Sequence, residues 1–109
     1  MLRRNDMPEQ VRKIQVKADL NRLDWIIDRV VQAMNGELTE EEVETIFYDL
    51  QDLHIDLSTH TLEGYYERDA GEVFGEMEHG LGPIRRGEKG WDEKYRDLQK
   101  IKNYIELWA

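Results

Sequence analysis

The sequence predicts an all-α fold, a small four-helix bundle built from helical hairpins. Three observations carry this reading. Apolar residues recur at steps of three and four along most of the chain, which is the period of one helix face. Thr39-Glu40-Glu41-Glu42 has the form of a capping box, with Thr at the cap and Glu three residues on. Asn35-Gly36, just before it, is a stop signal for a preceding helix.

The first helix ends near Met34. Leu20, Leu23, Ile27, Val30 and Met34 form its stripe, widened by Trp25, Ile26 and Val31. Its start is either near Pro8, which suits a first turn, or at an Asp19 cap. Ile14, Val16, Ala18 and Leu20 alternate, so residues 11–17 also read as a short strand. The link from Asn35 to Leu38 is short enough to impose an antiparallel hairpin.

The second helix starts at the Thr39 cap, where Glu40, Glu41 and Glu42 meet the positive end of the helix dipole. Val43, Ile46, Phe47, Leu50, Leu53 and Leu57 carry it to residue 53 or 57. Ser58-Thr59-His60-Thr61 is a run of poor helix formers, and a break is expected there. Leu62, Tyr66, Ala70, Val73 and Met77 suggest a third helix. Gly64, Gly71 and Gly75 fall outside its stripe, which implies a kink or a close approach on that face. Four glycines and Pro83 make Gly80–Gly90 a loop. Trp91, Tyr95, Leu98, Ile101, Ile105 and Trp108 form the last face, with Asp92 and Glu93 in its first turn and Lys100 and Lys102 toward its end.

At 109 residues the chain is expected to be one domain. With no cysteine, a disulfide framework and a thiolate metal site are excluded. No apolar run is long enough to span a membrane, and Met1–Asp6 lacks the apolar stretch of a signal peptide, so a cytoplasmic protein is expected. Ten aromatic residues and clear periodicity argue against disorder.

Charge is distributed unevenly. Fourteen acidic side chains lie between Glu37 and Glu78 against one base, Arg68, a formal charge of −13. Residues 1–36 and 79–109 each carry +2, so the net −9 arises wholly in the middle. Phosphates would be repelled, which argues against direct nucleic-acid binding. The block is compatible with a basic protein partner or with cations.

The leading functional expectation is therefore a non-enzymatic binding module, in its sharpest form an inhibitor or DNA mimic that docks on a nucleic-acid-binding groove. Glu41, Glu44, Asp52, Asp56, Glu63 and Glu67 would supply charge, and Tyr48, Tyr65 and Tyr66 apolar anchors. The second expectation is a structural subunit whose apolar stripes, ending in Trp108, are completed by another copy. In either reading no cofactor is expected.

The third expectation is a metal site. Glu72, Glu76 and His79 are spaced i, i+4, i+7, and Glu76-x-x-His79 has the form used in carboxylate di-iron bundles. Such sites need a second Glu-x-x-His, yet His54 and His60 follow Gln51 and Leu57 at that spacing. Asp49, Asp52 and Asp56 share a face without the spacing of an EF-hand loop. Glu41-x-x-Glu44 has no downstream Glu-x-x-Asp to complete a paired-glutamate magnesium site. Gly82–Lys89 fails as a phosphate loop, because Glu88 precedes Lys89 and Gly90 replaces the Ser or Thr. Arg85, Arg86 and Lys89 are instead expected to dock on the acidic block. Nucleophilic catalysis has no candidate, since Ser58 is the only serine and reads as a cap.

Overall fold

A computed structural model of the chain describes residues 9–66 and 70–108, with the side chains of 70 and 71 left aside. Pro8, Glu67 and Arg68 lie outside the described residues. Four helices follow one another: α1 Glu9–Met34, α2 Glu40–Leu62, α3 Ala70–Arg85 and α4 Trp91–Glu106. Each helix packs on two neighbours, in the cyclic order α1, α2, α3, α4 and back to α1. Side-chain bridges set the directions. Arg29–Glu42 and His60–Asp19 run α1 antiparallel to α2, and Asp24–Lys102, with Met34 beside Trp91 at the start of α4, does the same for α1 and α4. The result is an up-down-up-down bundle.

The core is the sum of the four stripes: Val16, Leu23, Ile26, Ile27 and Val30; Ile46, Leu50, Leu53 and Leu57; Val73, Met77, Leu81 and Ile84; Leu98, Ile101 and Ile105. Tyr66 joins it from the segment after α2. Each fully buried Leu or Ile contributes about 1.5–3 kcal/mol relative to exposure.

Several sequence expectations change. The third helix starts at Ala70, whereas Leu62 closes α2 and Tyr66 lies in the turn after it. Residues 11–17 are helix, not strand. Val16 faces the core while Ile14 is exposed, and Val16 lies in phase with Leu23 and Val30 at helical period. The alternation there is an accident of that phase. The expected break at Ser58–Thr61 is absent, and α2 runs through to Leu62. The hydroxyls of Thr59 and Thr61 donate to the carbonyls of Ile55 and Leu57, so poor helix formers are accommodated by bonds back along their own helix. The expected loop after Gly80 is mostly helix. Leu81 and Ile84 extend the Val73–Met77 stripe into the core and hold α3 helical past Gly82-Pro83, with Pro83 in its last turn.

The close approach expected on the face of Gly64, Gly71 and Gly75 does not occur at Gly75; the tight contact is at Gly80, which the sequence assigned to a loop. A Cβ on Gly80 would lie 2.7 Å from Ile101 Cδ1, whereas one on Gly75 would meet nothing within 4 Å. Gly80 lets α3 and α4 touch.

The reversals share one device. Glu37 N–H donates to Gln32 O and Gly36 N–H to Ala33 O, with Gly36 at φ +71°. Tyr65 and Gly64 repeat this pattern on His60 and Thr61. So do Glu88 and Gly87 on Pro83 and Ile84. These are Schellman closures, and a left-handed residue is the reason glycine occupies each.

Candidate protein-binding face

The second helix carries the face. Its start is fixed by reciprocal bonds: Glu42 N–H donates to Thr39 Oγ1 at 3.2 Å, and Thr39 N–H donates to Glu42 Oε1 at 3.1 Å. The bond from the Thr39 backbone, helped by its hydroxyl, holds the Glu42 carboxyl below the usual value. Arg29 lies 3.8 Å from its other oxygen. Glu42 is thus committed to the cap.

With its start pinned and Ile46, Leu50, Leu53 and Leu57 turned inward, α2 must turn Glu41, Glu44, Tyr48, Asp52 and Ile55 outward. The helix holds seven carboxylates and no Lys or Arg. Glu41, Glu44 and Asp52 are exposed and have no ion-pair partner among the described residues. Between them Tyr48 is 60% exposed and Ile55 51%. The Tyr48 hydroxyl sits 3.4 Å from Glu44 Oε1, a contact at the long limit of a hydrogen bond.

The remaining expected contributors are placed differently. Asp56 adjoins the face but is paired with Arg22. Glu63 is exposed beyond the helix end, and Glu67 lies outside the described residues. Tyr65 is half-buried against the core with its ring edge-on to His60. Tyr66 is fully buried. Neither is an exposed anchor. Of Arg85, Arg86 and Lys89, expected to dock on the acidic block, Arg86 pairs with Glu88 and also feels the charge of Glu78 in the block, while Lys89 pairs with Asp97. Arg22 and Arg29 of α1 do reach the block, at Asp56 and Glu42.

No family model, curated protein or solved structure matches this chain.

For Glu72, Glu76 and His79, no group of three or more metal-ligating side chains comes together among the described residues. Glu76 and His79 line a cleft of about 150 Å3 that also holds Lys89 and Lys100, whose ammonium charges oppose a cation.

Three constellations escaped the sequence reading. A groove of about 280 Å3 between α1 and α2 is lined by Asn21, Arg22, Trp25, Ile26 and Asp49. Asp19 is buried and accepts from Tyr66 Oη at 2.6 Å, His60 Nδ1 at 3.0 Å and Gln15 Nε2 at 3.2 Å. Lys94 is buried with its ammonium 4.0 Å from the Trp91 ring centroid and 4.9 Å from that of Phe47. Burial pushes its amine below the usual lysine value. For the last two a signal existed: Asp19 falls in phase with Val16 and Leu23, and Lys94 with Leu98, Ile101 and Ile105. A charged residue on an apolar stripe marks a buried polar site.

Proposed function

We propose that this protein is a non-enzymatic binding module that docks a basic surface of a partner protein on the outward face of α2. One observation carries the reading. Tyr48 and Ile55 stand exposed one above the other, flanked by carboxylates without ion-pair partners among the described residues, on a helix that has no Lys or Arg. Apolar anchors ringed by single-sign charge suit a partner of opposite charge: the charges steer the encounter and the anchors hold it. A nucleic-acid-binding groove is such a surface, and inhibition by mimicry of DNA is the sharp form of the proposal. The test is affinity capture at low salt with the wild type and with Tyr48→Ala, eluted by a salt gradient and followed by direct titration with each captured protein. Recovery of basic proteins by the wild type and their loss from the variant are expected. Equal recovery by both overturns the reading.

A second reading, assembly with another copy, is favoured by the end of the bundle where α1 starts and α2 and α4 stop. Ile14, Leu62 and Leu107 are all strongly exposed there. A monomer mass by light scattering at high concentration overturns it.

A further inference from the structure

The groove between α1 and α2 deepens the docking proposal and rests on it, because the partner supplies its occupant. We infer that the groove takes an arginine side chain, its guanidinium lying against the Trp25 indole and forking onto the Asp49 carboxylate.

Trp25 is 57% exposed, an unusual cost for a large aromatic, while Ile26 beside it is buried and forms an apolar floor. Asp49 is half-buried and has no ion-pair partner among the described residues. The two nearby bases are engaged, Arg22 with Asp56 and Arg29 with Glu42. The charge left over in the groove is therefore negative, and Asp52 adds to it one turn along. A guanidinium already lies near the ring: the Arg29 carbon is 5.5 Å from the Trp25 centroid. Arginine suits the site better than lysine, because a planar, weakly hydrated group stacks on an indole and forks onto a carboxylate at once. An acidic side chain would meet Asp49 and Asp52. A purely apolar one would bury Asp49 without a partner. The groove adjoins the outer face, since Asp49 of its lining and exposed Asp52 are i, i+3 neighbours on α2.

The test follows the indole N–H signal of Trp25 and the backbone amides of Glu41, Glu44 and Asp52 by NMR of the whole chain. An Arg-Ser repeat peptide is titrated at low salt, with Lys-Ser and Glu-Ser repeats alongside. The Arg-Ser peptide should move all four signals and bind more tightly than the Lys-Ser peptide. Asp49→Asn and Trp25→Ala should each weaken it about two- to fivefold. Neither residue belongs to the buried core, and melting curves check that both variants fold. Movement of the amides without the indole, with Asp49→Asn binding like wild type, overturns the groove and leaves the α2 face standing. A Glu-Ser peptide that moves the indole equally also overturns it. If no signal moves with either basic peptide, the docking proposal falls and the groove falls with it.

Discussion

The Tyr66 hydroxyl donates to Asp19 Oδ2 at 2.6 Å, joining residues 47 positions apart. Through this bond the segment leaving α2 is held against α1, and His60 adds a second tie from the last turn of α2. Trp108 covers the Tyr66 ring edge-on at 5.8 Å, so α4 closes over the same point. A buried carboxylate is tolerable only when donors surround it, and here three do.

Removing the hydroxyl should therefore cost stability. Tyr66→Phe is expected to lose about 1–3 kcal/mol, read from the urea midpoint at unchanged slope. The pH dependence has a definite sign. Burial first, and the Asp19 charge second, raise the Tyr66 phenol above its usual 10. Its contribution is then complete below pH 10 and falls as pH rises beyond it. The wild type should lose about 1.4 kcal/mol per pH unit in that range more than Tyr66→Phe does.

Lys94→Met should stabilise the protein. The aromatic contacts return about 0.5–2 kcal/mol, whereas an ammonium buried with no carboxylate partner among the described residues costs several. Methionine keeps the stem packing and removes the charge, and a gain of about 1 kcal/mol is expected in chemical denaturation. Because the folded-state pKa lies below 10.5, the wild type recovers stability as pH rises toward that value. The advantage of the variant should shrink over the same range.

Two glycines of α3 should respond in opposite directions. Gly75→Ala meets open space and should gain about 1 kcal/mol from helix propensity. Gly80→Ala drives a methyl into Ile101 Cδ1, and overpacking of about 1–3 kcal/mol outweighs that gain. Adding Ile101→Val removes the offending carbon. In that background Gly80→Ala should become neutral or favourable, which thermal melts of the four variants decide.

Thr39→Ala should cost about 1 kcal/mol near neutral pH. The depressed Glu42 pKa means its share of the cap is present above 4.5 and lost as pH falls below it. The penalty of the mutation measured by melts should therefore diminish in acid.

Neutralising Glu41, Glu44 and Asp52 as the amides should leave folding intact or strengthen it. These carboxylates repel neighbours by a few tenths of a kcal/mol per pair and have no ion-pair partner among the described residues. Partner association should slow and lose much of its salt dependence. A loss of stability that disappears in high salt would show that the charges serve the fold instead.

The helical class, the Thr39 cap, the Gly36 stop and the outward set Glu41, Glu44, Tyr48 and Asp52 were legible because each is local. Helix period alone fixes which residues of α2 share a side. What escaped depends on partners distant in sequence. Gly80 and Pro83 look like loop until Leu81 and Ile84 find a core and Ile101 needs the missing Cβ. Ser58–Thr61 looks like a break until Thr61 is buried beside Leu57. Asp19 read as a cap because its donors come from residues 60 and 66, and Tyr66 read as an anchor for the same reason. Trp25 and Asp49 line one groove only once α1 and α2 are paired.

The seven carboxylates of α2 run lengthwise, while α1 and α4 hold acids and bases in near balance. Electrically the molecule is a rod of 50 × 22 × 19 Å with its negative excess along the α2–α3 edge, since α3 adds Glu72, Glu76 and Glu78 against Arg85. Near a positive surface such a rod experiences a torque and rolls until that edge points down. One rotational degree of freedom is settled before contact, and the remaining search is mainly sliding along the axis and turning in the plane of the surface. Two molecules meeting each other feel the reverse, since their charged edges repel and turn outward. The same charge that would orient the protein toward the proposed basic target would therefore keep the Tyr48–Ile55 strip of one copy from closing on that of another.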